Sequence, residues 1–71
     1  MKLGFIGTGN MASAIMGGVI KKNIFPADEI IGADLFAQGR ERVKEQFGIN
    51  VTDSNKEVIE NVRTHVNTYE D

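Results

Sequence analysis

Short apolar runs alternate along this chain with longer stretches in which apolar residues recur every three or four positions. Residues 2–6, KLGFI, read as a short buried strand that stops at a glycine turn. From Asn10 to about Lys22 the period is helical: Met11, Ile15 and Val19 fall on one stripe, with Ala12, Met16 and Ile20 beside them. Gly17 and Gly18 lie inside that helix, where each costs roughly 1 kcal/mol relative to alanine. A helix packed very close to a sheet would justify the pair. Asn23 and Pro26 punctuate its end, and EIIGA, residues 29–33, gives a second strand that runs out at Asp34. Residues 37–47 form a more polar helix with Val43 and Phe47 inward and Arg40, Glu41, Arg42, Lys44 and Glu45 on a solvated face. Gly48 follows as its C-terminal cap. INV, residues 49–51, is a third strand. Asp53 or Ser54 then caps a short helix over residues 55–61, with Val58 and Ile59 inward.

The predicted order is β-α-β-α-β-α. Strands alternating with helices imply parallel pairing through right-handed crossovers, so the fold class is α/β with helices wound on both faces of a parallel sheet. No internal repeat, linker or low-complexity stretch interrupts it.

Composition narrows the function classes. With 71 residues the chain makes at most one small domain. A formal net charge of -2 gives no electrostatic reason to expect nucleic acid or an anionic membrane as a partner. There is no cysteine, which excludes disulfides and thiolate chemistry. No apolar stretch approaches the ~20 residues of a membrane span, and no secretory leader pattern opens the sequence. A cytoplasmic protein is the expectation. No cluster suggests a metal site.

Between the first strand and the first helix stands Gly7-x-Gly9-x-x-Ala12, the context in which such spacing cradles a dinucleotide pyrophosphate. Gly7 allows the tight turn, Gly9 lets the backbone approach the pyrophosphate, and Ala12 lets the helix pack onto the strand. The N–H groups of the first helical turn carry roughly half a positive charge. Asp34 closes the second strand about 20 residues further on, where a carboxylate accepts from the ribose hydroxyls. Its bland alternative is to cap the turn that follows. The whole reads as a partial Rossmann-like unit.

The segment GFIGTGNMASAIMGGVIKK closely resembles the start of pyrroline-5-carboxylate reductases, with their Gly-x-Gly-Asn-Met turn and a helix containing Ala-Ile-x-Gly-Gly. The resemblance continues through EIIGADL and GINVTDSNKEVIEN and covers about residues 2–61. It implies NAD(P)H-dependent reduction of Δ1-pyrroline-5-carboxylate to proline. Carried over, Ile6, Gly7, Thr8, Gly9, Asn10 and Met11 wrap the cofactor phosphates. Asp34 reads the adenosine ribose or its 2′-phosphate, for NADH or NADPH respectively, with Arg40 and Arg42 near enough to swing back toward it. Asn55 matches an asparagine that contacts the cofactor in relatives; a helix cap is its other reading.

After Asn61 the sequence departs from the family. Where relatives have an apolar strand, this chain reads VRTHVNTYED. Residues 1–61 are thus expected to form a dinucleotide-binding half-domain and 62–71 an aberrant tail without a strand. The family's helical dimerisation and substrate domain is expected to be missing. No catalytic residue is assigned: Arg63, His65 and Tyr69 make no catalytic set. An unpaired sheet edge would then favour self-association. Two other readings stay open. One is a related NAD(P)-dependent enzyme of the β-hydroxyacid dehydrogenase type or one acting on a deazaflavin. The other is a nucleotide-binding fragment that catalyses nothing.

Overall fold

The computed structural model describes residues 2–62 and the backbone of residues 65–68. Strand β1 (Leu3–Ile6) leads into helix α1 (Asn10–Lys21), and a single 3₁₀ turn, Ala27–Glu29, precedes β2 (Ile30–Ala33). Helix α2 (Ala37–Phe47), strand β3 (Asn50–Thr52), helix α3 (Asn55–Asn61) and strand β4 (His65–Thr68) complete the order. The four strands lie as β3-β2-β1-β4, every neighbouring pair parallel. The carboxyl ends of β1, β2 and β3, with the loops that follow them, therefore share one edge of the sheet. The chain moves outward from β1 to β3, then returns to the other side of β1, so the order reverses beside the strand that carries the glycine turn.

The helix ends follow local chemistry. Asn23 adopts a left-handed conformation (φ 56°) after α1, its N–H bonding Ile20 O at 3.1 Å while Ile24 N–H bonds Val19 O at 3.0 Å. These paired bonds satisfy carbonyls that the last helical turn leaves open. Gly48 does the same for α2 at φ 73°, donating to Lys44 O at 2.8 Å. Ser54, not Asp53, caps α3 by accepting from Glu57 N–H at 3.3 Å.

Alternate residues of the buried strands feed two cores. On one face Leu3, Phe5 and Ile30 pack with Ala12 and Met16 of α1, Val43 of α2, and Ile49. On the other, Ile31 and Ala33 pack with Val58 of α3, against which Ile6 and Val62 also lie. Helices thus cover both faces, the expected α/β arrangement. At Gly4 a Cβ would meet Val58 Cγ1 at 2.6 Å and Val62 Cγ2 at 2.7 Å, so its absence lets α3 lie directly on β1.

Three expectations need correction, and one open point is settled. The tail contains a strand: β4 pairs in register with β1, Leu3 opposite His65 and Ile6 opposite Thr68. The backbone groups of β1 demand a partner on both sides, and main-chain pairing does not require the apolar side chains that residues 62–71 lack. The side chains of His65, Arg63 and Tyr69 lie outside the described residues. Second, of the two stripes named in the sequence, α1 turns the one with Ala12 and Met16 inward, as the packing role of Ala12 implies, whereas Met11 is 64% exposed. The two stripes are neighbours on the helix, and the sheet selects the one whose small first residue, Ala12, permits close approach. Third, Val58 is fully buried but Ile59 is 59% exposed, because a helix of two turns offers the sheet only a narrow stripe. Fourth, the glycine pair is not a sheet contact: a Cβ at Gly17 would touch the Phe47 ring of α2 at 3.4 Å, and one at Gly18 would meet nothing within 4 Å.

Candidate functional site

The turn after β1 needs glycine at its first position. Gly7 sits at φ 96°, a conformation side chains disfavour, with its N–H bonded to Ala33 O at 2.7 Å. Gly9 is the N-cap of α1 with an extended backbone (φ -75°, ψ -164°), and its carbonyl accepts from Ser13 N–H at 2.9 Å. No side chain caps α1, and its first turn holds no acidic residue. The positive end of a twelve-residue helix is therefore presented at the carboxyl edge of the sheet, at the topological switch point. Its chemistry suits an anion.

Asp34 leaves β2 directly beside this turn. Its Oδ2 accepts from the Thr8 hydroxyl at 2.6 Å and from Thr8 N–H at 3.3 Å, while Oδ1 accepts from Phe36 N–H at 2.9 Å. Burial pushes the carboxyl up. The Thr8 hydroxyl, the Phe36 and Thr8 N–H groups and the charge of Arg40 together outweigh it and hold Asp34 below its ordinary value. It stands ionised at neutral pH. Arg40 holds the exit of β2, its Nη1 donating to Asp34 O at 2.9 Å and Leu35 O at 3.2 Å.

Thr8 is fastened on every polar group. Besides its two bonds to Asp34, its carbonyl accepts from Arg42 Nη2 at 2.5 Å and from Ser13 Oγ at 3.3 Å. The side chain is buried, at 1% exposure. Gly39, on the face of α2 turned to this cluster, makes room for it. A Cβ there would lie 2.9 Å from Asp34 Oδ2 and 3.0 Å from Thr8 Oγ1.

The expected residues divide accordingly. Gly7, Thr8, Gly9, Asn10 and Met11 form the turn and helix start, with Asn10 and Met11 exposed and Ile6 half-buried at the end of β1. Asp34 is brought onto Thr8. Asn55 begins α3 at the same sheet edge, exposed, and is not the cap, since Ser54 fills that role. One residue that sequence reasoning left out, Gly39, belongs to the cluster, and Arg42, expected on a solvated face or swung back toward Asp34, reaches instead to the Thr8 carbonyl. The Arg42 contact spans 34 positions, and no local pattern announces it. Among the described residues no group of His, Cys, Asp or Glu is placed to hold a metal ion, and no helix is long and apolar enough to cross a membrane.

Residues 2–66 match the family described as NADP oxidoreductase, coenzyme F420-dependent. The chain is also similar to the pyrroline-5-carboxylate reductase of Arabidopsis thaliana, 40% identical over 58 residues that make up 82% of this chain and 21% of that protein. The enzyme of the same name from Pseudomonas aeruginosa is 36% identical over 58 residues, again 82% of this chain and 21% of the relative. Pyrroline-5-carboxylate reductase 3 of Danio rerio is 41% identical over 59 residues, 83% of this chain and 20% of the relative. The chain spans about a fifth of the length of these curated relatives.

Proposed function

The chain belongs to the family described as NADP oxidoreductase, coenzyme F420-dependent, and from this premise we propose that it is the dinucleotide-binding part of a pyrroline-5-carboxylate reductase. The observation that carries the proposal is the uncapped start of α1 at the switch point, with an ionised Asp34 at the end of the adjacent strand. The N–H groups of Gly9, Asn10 and Met11 would hold the pyrophosphate of NADH or NADPH, and Asp34 the adenosine ribose. Asn55, exposed at the same edge, would contact the cofactor. When bound, the cofactor would supply hydride to the N-protonated cyclic imine, giving proline. These residues bind and orient; none of them is assigned a proton transfer. Residues 1–61 would form the binding half-domain, with β4 (His65–Thr68) beside β1 on its sheet.

Binding of NADH or NADPH to the chain, followed by backbone amide shifts, tests the proposal. Shifts confined to residues 7–11, 34–36 and 55 support it, and an unperturbed turn refutes it. The F420-dependent character of the matching family favours one second reading, hydride exchange with a deazaflavin. An enzyme carrying this segment that reduces a deazaflavin and not the imine would establish that alternative. The protein works in the cytoplasm. In the isolated chain, the outer side of β4 is the sheet edge through which copies would associate, a concentration-dependent sedimentation property.

A further inference from the structure

We propose that Asp34 and Arg42 together clamp Thr8 and thereby aim the glycine turn at a diphosphate, so that Asp34 is a positioning residue as well as a ribose acceptor; this rests on the dinucleotide reading above. The hydrogen bonds at Asp34 set the division. A carboxylate has about four acceptor positions. Oδ2 spends two on Thr8, through Oγ1 at 2.6 Å and the backbone N–H at 3.3 Å. Oδ1 spends one on Phe36 N–H at 2.9 Å. One position on Oδ1 remains for a ligand, so bidentate capture of two ribose hydroxyls by both oxygens is not what this carboxylate is arranged for.

What the bonds on Thr8 accomplish follows from peptide geometry. The Thr8 carbonyl and the Gly9 N–H belong to one planar trans peptide and point in opposite directions. Arg42 Nη2 at 2.5 Å and Ser13 Oγ at 3.3 Å fix the carbonyl, and with it the direction of the Gly9 N–H. Asp34 fixes the same residue from its other end. The two anchors come from different elements, β2 and α2, so the turn is held to the sheet and to the neighbouring helix at once. The bare Gly39 makes the arrangement possible, since a Cβ there would press on Asp34 Oδ2 at 2.9 Å.

The test separates the two roles of Asp34 with two ligands, ADP and 2′,3′-dideoxy-ADP, which shares the diphosphate but has no ribose hydroxyl. Affinities are measured by calorimetry for the unsubstituted chain and for Asp34→Ala, Thr8→Val and Thr8→Ser, with circular dichroism confirming that each variant is folded. Thr8→Val keeps the shape of the side chain and removes its donor. A clamp predicts that Thr8→Val weakens both ligands by the same factor, about fivefold, the scale of a hydrogen bond to a charged group partly realised in binding. Thr8→Ser should restore both. Asp34→Ala should weaken dideoxy-ADP as well as ADP, with a larger loss for ADP. If Asp34→Ala weakens ADP while dideoxy-ADP keeps its affinity, or if Thr8→Val changes neither, the clamp is overturned and the ribose role stands alone. If neither nucleotide binds the unsubstituted chain, the dinucleotide reading falls and the clamp with it.

Discussion

The Thr8 hydroxyl donates to Asp34 Oδ2 across 2.6 Å, joining residues 26 positions apart at the carboxyl ends of two adjacent parallel strands. This contact ties the turn proposed to hold the cofactor phosphates to the residue proposed to meet the ribose, and it makes fold stability sensitive to the charge on one carboxyl group. The folded Asp34 pKa lies below the ordinary value of 3.8, because the hydrogen bonds and Arg40 outweigh the opposing effect of burial. Stability from these bonds is therefore fully present above pH about 3.8 and is lost as pH falls through the lower folded value. Asp34→Asn should lower the urea midpoint at pH 7, and its gap from the unsubstituted chain should narrow below that point. A gap that stays constant from pH 7 to pH 2.5 would show that the ionised carboxylate contributes nothing.

Two glycines on neighbouring helices should respond to alanine with opposite signs. At Gly18 a Cβ meets nothing within 4 Å, so Gly18→Ala should stabilise by about 1 kcal/mol through helix propensity alone. At Gly39 the same propensity gain opposes a methyl group placed 2.9 Å from Asp34 Oδ2. Disturbing hydrogen bonds to a charged group costs roughly 1.5–3 kcal/mol, so Gly39→Ala should be net destabilising. Thermal melts of the two variants settle both signs.

Adjacent residues on α3 should behave very differently. Val58 is fully buried against β1 and β2, while Ile59 is 59% exposed. Val58→Ala removes two methyl groups from a packed site and should cost about 1.5–2.5 kcal/mol, from ~0.8 kcal/mol per buried methylene plus a cavity contribution. Ile59→Ser should stay within about 0.5 kcal/mol. Equal losses would mean that α3 is rotated about its axis.

How much of this was legible in the sequence differs by element. The limits of α2 and α3 were readable to the residue, because Gly48 and Ser54 are chemical stop and start signals that act locally. Strand β4 was not, since its place beside β1 is set by backbone pairing and its residues carry no apolar pattern. The inward face of α1 was left open between two adjacent stripes, because the rotation of a helix is decided by what it packs on. Within the site, Gly7, Gly9 and Asp34 were found from spacing, and their reading as cofactor contacts came from the same spacing. The fastening of Thr8 by Arg42 was not, since it depends on where α2 lies relative to the turn, a relationship no stretch of sequence contains.

The choice of cofactor should follow the charge beside the ribose. A 2′-phosphate would approach the ionised Asp34, and like charges at contact distance disfavour binding. Arg40 is engaged with the Asp34 and Leu35 carbonyls, which limits its freedom to compensate. NADH should bind at least as tightly as NADPH, and Asp34→Ser should shift the ratio of Kd values toward NADPH by about tenfold, a change of ~1.4 kcal/mol. Any displacement of the glycine turn affects both cofactors alike, so the ratio isolates the ribose. A strong NADPH preference that Asp34→Ser leaves unchanged would place Asp34 away from the 2′ position.

The most direct measurement of the dinucleotide site is a titration of the chain and of its Gly9→Val variant with NADH, observed through backbone amide resonances. Gly9 has an extended backbone that valine also adopts, so the substitution blocks approach of the pyrophosphate without demanding a new turn. Binding by the unsubstituted chain, with shifts centred on residues 7–11 and loss of saturable binding in a folded Gly9→Val, is the predicted result. Unchanged affinity in the folded variant would contradict it and leave the glycine pattern as a structural turn alone.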